Sequence, residues 1–185
     1  MSAMWISLGL LFSGLLQLQA MEIPVMSNFD PQKILGKWYA VAVASNCPEF
    51  VQMKSVMKMP ITIFSVLDDG DLYAATGVAG PSGCMTMDMV YHTAKHGQYT
   101  QSVLDNSDIR FVDGDFDHSV LEYTQNVSES GDACKMVKLL ARQPEVAEIP
   151  ALAIEHFKML IPVVGLSMED VTHLPRDIDC VPGEF

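Results

Sequence analysis

Four cysteines, five histidines and thirteen methionines carry most of the chemistry that this 185-residue sequence has to offer. Cys47, Cys84, Cys134 and Cys180 lie far apart, in no spacing that suits zinc, whose ligands come in close pairs. In an oxidising compartment they can form up to two disulfides, and three full pairings are open. His92, His96, His118, His156 and His173 are scattered and match no Ser–His–Asp or Cys–His arrangement. No catalytic residue and no metal site is therefore assigned. The methionines say more. From Cys84 to Thr93 the chain alternates, with Met85, Met87, Met89 and Tyr91 on one face and Thr86, Asp88 and His92 on the other. That is a half-buried strand whose methionines point inward. Met57 and Met59 share parity with Ile61 and Ile63 on an expected second strand, and Met136 shares it with Lys138 on an expected last strand. Flexible, polarisable thioethers adapt to irregular apolar ligands. These residues form either a methionine-rich packed core or the lining of a binding cavity, with Lys138 placed to meet a ligand carboxylate.

The composition restricts the partner. Eleven Lys and Arg against 23 Asp and Glu give a net charge of −12, which repels a phosphate backbone and excludes nucleic acid. An apolar share of 49% is enough to bury a full core. Residues 1–20 hold no charged side chain, and the apolar stretch Trp5–Leu16 with small Ala20 reads as a signal peptide. Residues 21–185 then form a single secreted domain. They contain no run of 18 apolar residues, so stable membrane insertion is not expected. Asn126-Val127-Ser128 is an N-x-S sequon, which makes Asn126 a candidate glycosylation site.

Short alternating segments position these residues. Strands are expected over 38–46, 55–66, 72–78, 84–93, 98–104, 109–116, 118–125 and 134–141, with Asp68-Asp69-Gly70 and Gly80-Pro81-Ser82-Gly83 as turns. The period changes to helical near Val146–Leu160, and Pro150 sets the first turn of a helix over about 150–160. A short last strand is expected over 171–174. The order of elements favours an all-β fold: an eight-stranded up-and-down antiparallel barrel with one C-terminal α-helix packed outside. A β-sandwich plus a helix shares the same pattern. Closure into a barrel removes exposed edges, and at eight strands the interior is either filled or holds one small ligand.

Asn28-Phe29-Asp30 followed by Leu35-Gly36-Lys37-Trp38-Tyr39 resembles the opening G-x-W signature of the lipocalin family. Leu139-Leu140-Ala141-Arg142 resembles its last-strand motif, while the middle motif is reduced to Gly114-Asp115-Phe116. The resemblance implies the closed barrel and makes Gly36, Trp38 and Arg142 a structural motif, with the guanidinium over the indole at the closed end. Ala44-Ser45-Asn46-Cys47-Pro48 and Asp179-Cys180-Val181-Pro182-Gly183-Glu184 are most similar to the branch holding alpha-1-microglobulin, with the complement component eight gamma chain and lipocalin-type prostaglandin D synthase as neighbours.

This likeness implies a secreted binder of a small hydrophobic ligand, of the retinoid, fatty acid or tetrapyrrole class, that requires no cofactor. Haem, a bilin or a retinoid are the bound groups it suggests. It also implies a Cys84–Cys180 disulfide. Cys47 falls where relatives carry a reactive thiol or a disulfide-linked protein partner, so redox scavenging and partner bonding through Cys47 remain open beside a second bridge to Cys134. If the first and last strands pair with Trp38 near Arg142, a regular ladder puts Ala133, not Cys134, opposite Cys47. A bulge is then needed for that bridge. The isomerase nucleophile of the family would fall at Pro60, which has no thiol to offer, so no enzyme activity is expected.

Overall fold

The computed structural model describes residues 22–184 apart from 81, 102–106, 129–130 and 178. The expected signal peptide, residues 1–20, and the end of the expected fifth strand lie outside the described residues. Eight strands follow one another: β1 (Gly36–Ser45), β2 (Ile61–Val66), β3 (Leu72–Gly80), β4 (Gly83–Lys95), β5 (Gln98–Gln101), β6 (Ser107–Gly114), β7 (Ser119–Val127) and β8 (Ala133–Ala141). Each pairs antiparallel with the next, and β1 pairs with both β8 and β2. The sheet thus closes on itself, which satisfies the backbone groups an open edge would leave bare. A ninth strand, β9 (Val171–His173), lies along β1. The eight-stranded antiparallel barrel expected from the element order is the fold.

Contacts between strands that are not neighbours identify the inner face. Tyr91 on β4 reaches Glu122 on β7, and Phe64 on β2 meets Phe111 on β6 with ring centroids 6.0 Å apart. Following the ladders from these anchors, Thr62, Phe64, Leu72, Ala74, Thr76, Val78, Met85, Met87, Met89 and Tyr91 share that face. So do Val120, Glu122, Thr124, Asn126, Cys134, Met136, Lys138 and Leu140. The lower half of the barrel is packed solid by Trp38, Phe64, Tyr91, Tyr99, Ile109 and Phe111, with Phe29 from the N-terminal segment stacked on Phe111 at 4.9 Å.

A second core lies outside the wall. The helix is Ala151–Val163 (α2), longer than the expected 150–160. Pro150 precedes it at φ −55° and sets its start, and Pro162 in the last turn has no N–H to give the Lys158 carbonyl, one residue before the helix ends. Phe157, Leu160 and Ile161 of α2 pack in one cluster with Leu121, Tyr123, Val137 and Leu139 on the outer wall. His156 also contacts Asp113 on β6. A short helix that the pattern did not suggest, α1 (Pro48–Met53), follows β1. Its Pro48 stands in the first turn, where a missing N–H costs nothing. This helix shortens β2, which begins at Ile61 rather than 55.

Candidate functional site

At the closed end the Arg142 guanidinium lies over the Trp38 ring, 3.7 Å from its centroid. It also donates to the carbonyls of Phe116 (3.0 Å), Leu35 (2.9 Å), Lys37 (3.1 Å) and Lys33 (2.8 Å). One planar donor thus ties the N-terminal segment, β1 and the β6–β7 turn together, which lysine has too few fixed donors to do. Gly36 has φ +88°, a left-handed backbone that favours glycine. Phe116 takes φ 63° in the residual middle motif, where its carbonyl accepts from Arg142. Burial pushes the neighbouring Asp115 carboxyl up, but the backbone N–H groups of His118 and Ser119 and the His118 ring outweigh that and hold it below the usual range. Among the described residues these contacts plug this end of the barrel.

The upper half is different. Met85 and Met87 face inward yet are 45% and 50% exposed, so they line space that reaches solvent through the open end. Met89 and Met136 are partly buried on the same inner face. Between this lining and the aromatic floor sits a charged pair. Glu122 on β7 is 1% exposed and accepts from Lys138 on β8 at 2.6 Å. The Tyr91 phenol and the Thr124 hydroxyl approach the same carboxylate oxygen, each at 3.4 Å. Burial, then the Glu122 charge, raises the Tyr91 pKa well above its ordinary value, so the phenol remains a donor. The expectation that Lys138 stands free for a ligand carboxylate meets this correction: its partner is Glu122, a residue the pattern did not single out.

Met57 and Met59 are a second correction. Both precede β2, and the parity they share with Ile61 is the outer one, because Ile61 pairs with Tyr39 and Gly77 while Thr62 and Phe64 face inward. The Met59 backbone N–H donates to the Pro175 carbonyl at 3.0 Å in the C-terminal tail. They belong to the outer cluster and line no part of the inner wall. Pro60 serves the ladder instead, its carbonyl accepting from Ala40 at 3.0 Å.

Cys47 is bonded to Cys134 and Cys84 to Cys180. The bulge that the first bridge needed lies between Ala40 and Ala42. Tyr39 and Ala40 pair with Ala141 and Leu140, then Val41 is skipped and Ser45 pairs with Met136. From there the register carries Cys47 directly opposite Cys134. The readings that used a free Cys47, redox scavenging and bonding to a partner, have no thiol in this structure: no described cysteine is free. On the outer face Cys84 anchors the tail, and the Cys180 carbonyl lies where a Cβ on Gly77 would be, at 1.9 Å.

At the rim, Asn46, Pro48, Glu49, Asn126, Ser128 and Cys134 surround an open recess of about 510 Å³. Asn126 pairs with Cys134 and Ser107 on the inner face, and its Oδ1 is buried without a hydrogen-bond partner. The residue itself is half-buried at the rim. A recess under α2, lined by Val41, Leu139, Ile149 and Phe157, has only about 50 Å³ and suits nothing larger than a few atoms. Among the described residues no group of three or more His, Cys, Asp or Glu could hold a metal ion. No helix among them is long and apolar enough to cross a membrane.

Known proteins place this arrangement. The olfactory protein of Lithobates pipiens is 34% identical over 90% of this chain and 93% of its own length. The extracellular fatty acid-binding protein of Coturnix japonica is 31% identical over 100% and 99%. A solved structure described as the siderocalin Ex-FABP, with dual ligand specificities, superposes with a TM-score of 0.69 at 27% identity, covering 80% of this chain and 97% of that one. Prostaglandin-H2 D-isomerase of Sus scrofa and protein AMBP of Bos taurus are each 26% identical; the match spans 96% of the former and 47% of the latter. Residues 35–176 match the model of the lipocalin / cytosolic fatty-acid binding protein family, and with the plugged, methionine-lined barrel built on Gly36, Trp38 and Arg142, the chain belongs to the lipocalins.

Proposed function

We propose that this lipocalin is a secreted carrier that holds one small apolar molecule, of the retinoid, fatty-acyl or tetrapyrrole class, in the upper half of its barrel. The observation that carries this reading is the position of Met85 and Met87, on the inner face yet half exposed, with partly buried Met89 below them. A large apolar side chain half exposed inside a closed wall leaves area for a ligand to bury, and burial there stabilises by about 25 cal/mol per Å². The names of the quail fatty acid-binding relative and of the siderocalin structure support the same class. Two internal disulfides fit an oxidising, extracellular setting.

The test is displacement of a neutral fluorescent probe, N-phenyl-1-naphthylamine, by retinoids and acyl chains. Wild-type protein is expected to bind the probe, and Met87→Arg to weaken it at least tenfold with an unchanged urea midpoint. No binding by the wild type would overturn the reading. Equal binding by the variant would also overturn it, by placing the probe away from the inner face.

A further inference from the structure

We propose that the barrel discriminates by head group, preferring a neutral hydroxyl to a carboxylate, because its inner cation is already committed to Glu122 and its uncommitted buried polar atom is an acceptor. The inference rests on the carrier reading above and names its ligand more closely.

Among the paired inner-face positions the charged side chains are Glu122 and Lys138. Lys138 is bound to a carboxylate that is 1% exposed. A ligand carboxylate that recruited Lys138 would strand Glu122 as a buried anion without its counter-ion, the arrangement that low-dielectric interiors penalise most. It would also bring a second negative charge beside the first. Among the described residues at the paired inner-face positions no second cation replaces Lys138. Tyr91 and Thr124 both donate toward Glu122, and the chain as a whole carries −12, a field that disfavours entry of an anion.

The unmet demand has the opposite sense. Asn126 Oδ1 is a buried acceptor with no partner, on the inner face of β7 two residues beyond Thr124 and on the rim recess. A buried acceptor left unpaired is costly, and a donor that reaches it recovers that cost. An alcohol supplies the donor and brings no charge. Its apolar body can then run down the wall formed by Met85, Met87 and Met89.

The experiment compares chain-matched probes: 1-tetradecanol, tetradecanoate at a pH where it is ionised, and the methyl ether of tetradecanol, which can accept but not donate. Each competes with N-phenyl-1-naphthylamine on the wild type, Glu122→Gln and Asn126→Leu. The wild type is expected to bind tetradecanol at least tenfold more tightly than tetradecanoate, a difference of about 1.4 kcal/mol. Glu122→Gln, which frees Lys138, is expected to shrink or reverse that ratio. Asn126→Leu, a rim substitution, is expected to bring tetradecanol down to the level of the ether. Tetradecanoate binding as well as or better than tetradecanol to the wild type would overturn the head-group inference and leave the carrier reading standing. Displacement by none of the three would overturn both.

Discussion

Gly77 on β3 lies beneath the C-terminal tail, and replacing it with alanine isolates what the Cys84–Cys180 bridge does. Its backbone is not left-handed, so alanine is compatible with the local conformation. In open space the change would stabilise by about 0.4–1 kcal/mol, through the unfolded chain. Here the added Cβ would stand 1.9 Å from the Cys180 carbonyl oxygen and 2.9 Å from its carbon. Those are backbone atoms of a residue tied to β4 by the disulfide, so they cannot swing aside as a flexible side chain would. Overpacking of this kind costs about 1–3 kcal/mol, and the net expectation for Gly77→Ala is a loss of about 1–2 kcal/mol. In a Cys84→Ala/Cys180→Ala background the tail can lift. The same substitution should then be neutral or slightly stabilising, although that background itself loses up to about 4.7 kcal/mol for a loop near 100 residues. Urea denaturation of the four proteins, read by midpoint and slope, gives the coupling directly. An equal cost in both backgrounds would refute the argument, because the clash would then not depend on the pinned tail. Stabilisation of the oxidised protein would show that the tail does not cross β3 at Gly77.

At the closed end, Arg142→Met removes a cation–π contact and four donated hydrogen bonds, and is expected to cost about 2–4 kcal/mol by urea midpoint. Arg142→Lys should recover less than half of it. Asp115 has its pKa lowered in the folded protein, so its contribution is fully present above its unfolded value and fades as pH falls toward the folded one. Asp115→Asn should therefore lose less stability than the wild type as pH falls below about 5, and an identical acid limb in both proteins would contradict this. Native protein is expected to take up no alkylating reagent by intact mass, and four equivalents after reduction in denaturant, because Cys47 and Cys134 are paired as well as Cys84 and Cys180. One adduct on native Cys47 would restore the thiol readings.

How much of this was legible in the sequence depends on whether a strand faces water. The methionine face of β4 was readable because its other face carries Thr86, Asp88 and His92, and both Thr86 and Asp88 are exposed. A solvated outer face makes a period-2 pattern unambiguous. Trp38 and Arg142 were readable because the G-x-W segment and the last-strand motif resemble those of the lipocalins, and the structure sets the guanidinium over the indole. The Cys47–Cys134 bridge was readable up to one residue, and the missing residue is Val41 in the bulge. Nothing in Ala40-Val41-Ala42 marks which of three small apolar residues is skipped. Met57 and Met59 misled because β2 begins at Ile61, after a short helix whose only local signal is Pro48.

Glu122 was hidden for a different reason, and the reason bears on function. In Val120–Asn126 the polar residues Glu122, Thr124 and Asn126 alternate with Leu121 and Tyr123, and a half-buried strand with that pattern turns its polar side to water. The structure reverses it, because α2 covers the outer face and Leu121 and Tyr123 are buried against that helix. When both faces of a strand are dry, alternation gives the parity but not the direction. Lys138 on β8 shows the same ambiguity, flanked by Val137 and Leu139 that also face the helix. What resolves both is pairing: the short connection between β7 and β8 fixes a hairpin register that sets Glu122 opposite Lys138. Two opposite charges that pair across adjacent strands and are turned inward by one helix make a neutral unit. That unit keeps a charged pair compatible with the aromatic floor below it and the apolar lining above it, and Asn126 two positions beyond Thr124 is left as an acceptor still without a partner.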